Sequence, residues 1–265
     1  MRINNNIMAF NANRNLGASN GSLGKSLEKL SSGYRINRAG DDAAGLVISQ
    51  KLRAEIGGLK QATRNSQDGI SFVQTAEGAL SEVHNMLGRM RDLAVQAAND
   101  TNDTAARTAI GAEITALNAE ITRIGVDTTF AGFAVFGTAV ALQVGSEGSA
   151  GGQITIAATA APTSVTGTVD TATNARTMIE AVDAEIAVIS GSRGALGATQ
   201  NRLESTINNL QVTTENLAAS ESRIRDTDMA AEVVNFTRNQ ILQQAGTAML
   251  GQANSVPQSV LSLLQ

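Results

Sequence analysis

The stretch Val73-Gln74-Thr75-Ala76-Glu77-Gly78-Ala79-Leu80-Ser81-Glu82-Val83-His84-Asn85-Met86-Leu87-Gly88-Arg89-Met90-Arg91-Asp92-Leu93-Ala94-Val95-Gln96-Ala97 decides the fold. Val73, Leu80, Leu87 and Ala94 lie seven residues apart, and Ala76, Val83, Met90 and Ala97 form the complementary row. Together they make an unbroken a/d seam, the pattern of a helix that packs on another with a coiled-coil twist. No proline precedes Pro162, so nothing bars a continuous helix over residues 46–98. At ~1.5 Å per residue that helix is a rod of roughly 80 Å, beyond ordinary globular length.

Working outward, Asn99-Asp100-Thr101-Asn102-Asp103 supplies turn and N-cap chemistry. A second helix follows, with Ile110, Ile114, Leu117, Ile121 and Ile124 at spacings of four and three. The C-terminal arm answers both. Val182, Ile189, Leu196, Leu203, Leu210, Leu217 and Ile224 hold heptad register, while the neighbouring row mixes Ile186 and Ile207 with Arg193, Gln200 and Thr214. One seam is dry and its neighbour partly polar. Three such segments predict a long antiparallel helical bundle, mainly α.

Composition agrees. The 265 residues contain 3% aromatics and no Trp, yet 42% apolar side chains, mostly Ala, Leu, Ile and Val. That suits helices packed closely rather than a thick aromatic core. Without cysteine there is no disulfide scaffold, Cys-ligated zinc or thiol nucleophile. One histidine, His84, leaves no material for a multi-His metal site or a conventional triad. A net charge of −4 does not advertise nucleic acid or an anionic membrane. No run of about 18 apolar residues predicts a transmembrane helix, and residues 1–15 lack the pattern of a cleaved secretory signal.

The two ends are marginal amphipathic helices. Residues 3–30 place Ile3, Ile7, Phe10, Leu16, Leu23, Leu27 and Leu30 on one expected face, amid asparagines and Gly17, Gly21 and Gly24. Residues 229–264 place Met229, Val233, Phe236, Leu242, Met249, Val260 and Leu264 similarly, and no charge occurs after Arg238. Neither end has an evident dry partner within the protein, so both are expected to fold on assembly. Ser31-Ser32-Gly33 and Asn37-Arg38-Ala39-Gly40-Asp41-Asp42 read as a helix stop and a capped restart. Residues 131–175 contain no Lys or Arg and only Glu147 and Asp170 as acids. There, Ala141-Leu142-Gln143-Val144 and Gln153-Ile154-Thr155-Ile156 alternate as a small β-hairpin around residues 145–152. The expected domains are 1–45 (inner helix and linker), 46–130 (rod helices), 131–175 (hairpin and loop), 176–222 (rod helix) and 223–265 (linker and inner helix).

Several long segments then carry a resemblance. They include Leu30-Ser31-Ser32-Gly33-Tyr34-Arg35-Ile36-Asn37, Asp41-Asp42-Ala43-Ala44-Gly45-Leu46, Gln74-Thr75-Ala76-Glu77-Gly78-Ala79-Leu80, Ser222-Arg223-Ile224-Arg225-Asp226 and Asn239-Gln240-Ile241-Leu242-Gln243-Gln244-Ala245-Gly246-Thr247-Ala248-Met249. Over residues 1–137 and 176–265 the protein resembles bacterial flagellin, in a short form without large outer domains. The family often has Phe-Asn-Gly where this sequence has Phe130-Ala131-Gly132, and Ala tolerates a left-handed backbone poorly, so a different local turn is expected. Gly88 stands where Gln is common.

The resemblance implies a non-enzymatic structural subunit that polymerises helically into the motility filament, needs no cofactor or metal, and is secreted through the flagellar type III apparatus. Implied partners are further copies of itself, an export chaperone, the filament cap and the hook-associated proteins, with no nucleic acid or membrane. It assigns Ile3, Ile7, Phe10, Leu242, Met249, Val260 and Leu264 to an inner assembly layer. It also assigns Arg89, Leu93 and Glu113 to a face used in subunit packing and recognised, in some groups, by the vertebrate Toll-like receptor for flagellin. Two rival readings are a hook–filament junction protein and a secreted coiled-coil adhesin or ligand. Among lesser features, His84 reads as structural, Asp41-Asp42 as cap chemistry beside Arg35 and Arg38, and Gly148, Gly151 and Gly152 as loop glycines. The Ser/Thr-rich stretch 159–173 reads equally as a soluble loop or an acceptor for O-linked sugars.

Overall fold

The computed structural model describes residues 5–148 and 150–262. Among these, five α-helices run as α1 (Ile7–Ser32), α2 (Ala43–Ala97), α3 (Thr104–Asp127), α4 (Ala172–Arg225) and α5 (Met229–Ser262). Four short strands, β1 (Thr129–Phe130), β2 (Phe133–Ala134), β3 (Val140–Gln143) and β4 (Gln153–Ile156), fall between α3 and α4. Packing divides the molecule into a unit of residues 55–214 and a unit of residues 1–54 with 215–265.

In the 55–214 unit every member of the two α2 rows, from Val73 to Ala97, is at most 1% exposed. The seam continues upstream through Leu59, Ala62, Ser66 and Gly69, all buried. Ser66 tolerates burial because its hydroxyl donates to the Ala62 carbonyl at 2.9 Å. Against this seam pack Ile110, Ile114 and Ile121 of α3 and Val182, Ile189 and Leu196 of α4. The heptad row of α4 also continues upstream, since Ala175 and Met178 are buried. The polar row of α4 is half-covered, and Arg193 lies 3.6 Å from Glu77 of α2. A second α2–α4 pair joins Arg91 to Asp183 at 2.7 Å. Both are exposed enough to be worth under about 1 kcal/mol, but they mark the antiparallel register. The turn between α2 and α3 is built as its sequence implies. Asp103 caps α3 by accepting from the Ala106 N–H at 2.7 Å, and Arg107 donates to the Ala97 carbonyl at the end of α2.

β3 and β4 form the expected antiparallel hairpin, with Val140 opposite Ile156 and Gln143 opposite Gln153. Its inner residues Val144, Ile154 and Ile156 are buried, so this region packs more apolar surface than its composition suggests. Gly69 of α2 makes room for it, since a Cβ there would collide with Leu142. The irregular stretch after β4 is held at two points, the first being the Gly137 N–H, which donates to the Thr159 carbonyl at 2.8 Å. At the second, Asn118 of α3 donates Nδ2 to the Val165 carbonyl and accepts the Val165 N–H at Oδ1, both at 2.9 Å. Val165 and Val169 are buried beside it.

A second hairpin is not legible in the sequence. β1 and β2 pair Thr129 with Ala134 and Phe130 with Phe133, which leaves Ala131 and Gly132 as a two-residue loop. Both have positive φ, 50° and 85°, the requirement of a type I′ turn. The expectation of a different turn at Ala131 is therefore not met: the turn forms, and alanine enters the left-handed region. That conformation costs an L-residue with a Cβ roughly 1–2 kcal/mol. Ala131→Asn should raise the stability of the soluble protein by about 1 kcal/mol, read as an upward shift of the urea midpoint at constant slope. A lower midpoint would show that Ala131 is not strained.

Candidate assembly surface

The unit of residues 1–54 and 215–265 is built on α1 and α5. Asn6 caps α1 by accepting the Ala9 N–H at 3.1 Å, and Gly33 ends it with φ 74° and its N–H on the Lys29 carbonyl. α1 and α5 run antiparallel. Asn6 Nδ2 donates to the Ala253 carbonyl at 2.8 Å, and Leu16 sits over Gly246, where an added Cβ would lie 3.2 Å from Leu16 Cδ1. Along α1 the covered stripe is Ala9, Ala12, Leu16, Ser19, Leu23 and Ser26, at spacings of three and four. Along α5 it is Phe236, Asn239, Gln243, Gly246, Leu250 and Ala253. The two ends are therefore partners of one another, through a narrow seam of small and polar residues with Leu16, Leu23, Phe236 and Leu250 at intervals.

This seam redraws the expected apolar face. Leu16 and Leu23 turn toward α5, but Ile7 and Phe10 stay 62% and 69% exposed. Leu242 and Met249 of α5 are likewise 48% and 64% exposed. Ile3 and Leu264 lie outside the described residues, as does the side group of Val260. An open groove of about 450 Å³ follows the helix pair, lined on one side by Met8, Ala12 and Leu16 and on the other by Leu242, Gly246 and Met249. Asn11, Asn15 and Ser19 complete its α1 side, so the groove is part apolar and part polar.

The segments flanking the helix pair are fixed by backbone bonds. The Arg35 N–H donates to the Arg225 carbonyl at 2.6 Å, and the Thr227 N–H to the Gly33 carbonyl at 2.9 Å. The Tyr34 ring meets the Arg225 guanidinium 4.4 Å from its centroid and that of Arg53 at 5.9 Å. Hydrogen bonding with Tyr34, then the charge of Glu221, holds the Arg53 guanidinium even more firmly protonated than usual. The Asp pair divides its work. Asp42 caps α2 through the Gly45 N–H at 2.9 Å, and Asp41 accepts the N–H groups of Asn37 and Arg38 at 3.1 and 3.0 Å. Those bonds, led by that from Arg38, lower the Asp41 carboxyl below its ordinary range.

The 55–214 unit carries the other assigned residues. Arg89 of α2 pairs with Glu113 of α3 at 2.8 Å, and both are exposed. Leu93 does not join them at the surface. It is 2% exposed and belongs to the core shared by α2, α3 and α4. One helical turn from Arg89, it falls on the side of α2 that the bundle covers, a point the spacing alone does not decide. His84 is half-buried, and among the described residues no group of three His, Cys, Asp or Glu could hold a metal ion. No helix among them is long and apolar enough to cross a membrane.

The fold defines a class: a long-helix bundle with a small β region and paired terminal helices. Its two arms match the family models for the bacterial flagellin N-terminal helical region, over residues 3–140, and the bacterial flagellin C-terminal helical region, over residues 179–264. Flagellin of Halalkalibacterium halodurans is 52% identical over 274 aligned residues, covering the whole of both proteins. Flagellin of Bacillus subtilis is 45% identical, and the flagellar filament 33 kDa core protein of Treponema phagedenis also 45%, again over the full length of both partners in each comparison. The crystal structure of Bacillus cereus flagellin superposes with a TM-score of 0.50 at 30% identity, covering 60% of this protein and 94% of that one. The protein belongs to the bacterial flagellin family.

Two measurements check the surface. Leu93→Ala should cost about 2–5 kcal/mol as a core truncation, whereas Arg89→Ala should cost under about 1 kcal/mol. Chemical unfolding of the two variants separates a core residue from a surface one, and equal losses would contradict the burial of Leu93. For Asp41, a depressed folded pKa means its stabilising bonds are fully present above the unfolded carboxylate pKa and lost as pH falls through the lower folded value. An NMR titration of the folded protein should place the Asp41 midpoint below that of an unfolded peptide, with the Asn37 and Arg38 amide shifts moving together with it. Amides that titrate independently of Asp41 would refute the assignment.

Proposed function

We propose that this protein is the structural subunit of a bacterial flagellar filament, polymerising helically with copies of itself for motility. The observation that carries the reading is the exposure of large apolar side chains along both helices, Ile7, Met8 and Phe10 of α1 and Leu242 and Met249 of α5. Each such residue gains about 1.5–3 kcal/mol on burial, and a second copy offers the same face. In this reading these residues, with Ile3, Val260 and Leu264, form the inner assembly layer. The absence of charge after Arg238 supports it, because a buried charge in a helical homopolymer recurs in every subunit.

The finer parts of the reading follow from the family. The subunit is exported to the outside of the cell through the flagellar type III apparatus, and a sequence without cysteine has no disulfide to form before assembly. An export chaperone, the filament cap and hook-associated proteins are its partners on that route. It does no catalysis: its one histidine is half-buried in the helical rod. The exposed Arg89–Glu113 pair supports recognition by the host Toll-like receptor for flagellin, with Leu93 acting from beneath by holding α2 in place.

The test is pelletable polymer after seeding with filament fragments. Phe10→Asp should leave the 55–214 unit helical by circular dichroism and reduce polymer by at least tenfold. Wild-type yield from Phe10→Asp would reject the inner-layer role of this face.

A further inference from the structure

The dipeptide Asn20-Gly21 lies mid-way along α1 and takes no part in the seam with α5. Both residues are exposed, and nothing lies within 4 Å of where a Cβ on Gly21 would stand. The Asn20 amide group makes no hydrogen bond among the described residues, unlike Asn6, which caps α1, and Asn11, which accepts from Arg14 at 2.9 Å. Gly17 and Gly24 flank the pair on the same face, and neither is needed for packing, since an added Cβ would meet nothing within 4 Å. Each helix-interior glycine favours unwinding about fivefold relative to alanine. The least hindered Asn-Xaa sequence therefore sits where α1 opens most readily.

We propose that Asn20-Gly21 is a self-modification site, blocked while α1 is helical and reactive when it unwinds. In the helix the Gly21 N–H points along the axis toward the Gly17 carbonyl and cannot reach the Asn20 amide. Once the turn opens, the deprotonated Gly21 nitrogen attacks the Asn20 Cγ. A bond forms between the Gly21 nitrogen and Cγ, the Cγ–Nδ2 bond of Asn20 breaks, and ammonia leaves a five-membered succinimide. Water then opens the ring at either carbonyl, giving aspartate or isoaspartate. The sum is amide plus water to carboxylic acid plus ammonia, with no redox change.

The product matters because of where it lies. Between residues 5 and 27 of the sequence the only charged residues are Arg14 and Lys25, and there is no acid. A carboxylate at 20 adds a negative charge to a stretch of α1 without one, and isoaspartate adds a backbone carbon that breaks the helical repeat. Subunits left unassembled with α1 open would lose their competence to assemble. This consequence rests on the filament reading, whereas the chemistry of the site does not.

The experiment incubates purified monomer in mildly alkaline buffer and follows the Asn20 peptide by mass spectrometry, with isoaspartate labelled by an isoaspartyl methyltransferase. Gly17→Ala/Gly24→Ala leaves the reacting pair intact and strengthens the helix, so Asn20 conversion should slow by at least tenfold. Asn65-Ser66, in α2, is the internal control: Asn65 donates to the Gln143 carbonyl at 2.8 Å and should stay unmodified. Equal Asn20 rates in wild type and the double variant, or Asn65 converting as fast as Asn20, would overturn the proposal. Separately, Asn20→Asp protein mixed with filament seeds should yield several-fold less polymer than wild type, and equal yield would overturn the claimed consequence. If wild type itself does not polymerise, the filament reading fails, while the comparison of conversion rates still decides the chemistry.

Discussion

The dry seam of α2 is the constraint on which the 55–214 unit depends. From Leu59 to Ala97 every third or fourth residue is buried, and α3, α4 and both hairpins take their positions from it. A close-packed interior leaves no slack at such positions. Where the β3–β4 hairpin comes close the seam narrows to Gly69, which leaves room for Leu142, and further along it widens to Leu80, Leu87 and Met90. Residue size along one helix thus sets how near each neighbour comes. The surface ion pairs between α2 and α4 mark this register without creating it.

The terminal unit follows the opposite logic. Its seam is made of Ala9, Ala12, Ser19, Gly246 and Ala253, with leucines at intervals, so α1 and α5 approach closely yet bury little. Its definition comes from the flanking segments, where backbone bonds join Arg35 to Arg225 and Thr227 to Gly33, and two guanidinium groups lie near Tyr34. A weak internal seam leaves the larger apolar groups uncovered. Phe10 and Met249 are exposed because the small residues already occupy the inside of the pair.

Heptad spacing makes the rod and its turn legible, because burial of a long helix leaves a period that few other structures share. The β3–β4 hairpin is legible by strict alternation. The β1–β2 hairpin is not, because its turn places an alanine at positive φ and composition points the other way. In the terminal helices the apolar residues are plain from the sequence, but their division between two faces is not, since glycine and serine can line a seam without showing as hydrophobic. Leu93 escapes a reading by spacing for a related reason. Its distance from Arg89 fits either side of α2, and only the helices packed around it decide which. The Asp41-Asp42 pair is legible as cap chemistry, though just one of the two caps a helix.

The grip of Asn118 on Val165 has a consequence for how the segment after β4 can change. Both bonds go to the backbone N–H and carbonyl of Val165 and neither to its isopropyl group, so the clamp reads the path of the backbone and not its composition. Apart from the buried Thr159, Pro162, Val165 and Val169 and the crowded Gly167, residues around it can be exchanged without weakening the attachment. The segment thereby gains a fastening that is indifferent to most of its own side chains. Its appearance can drift while the rod beneath keeps its geometry.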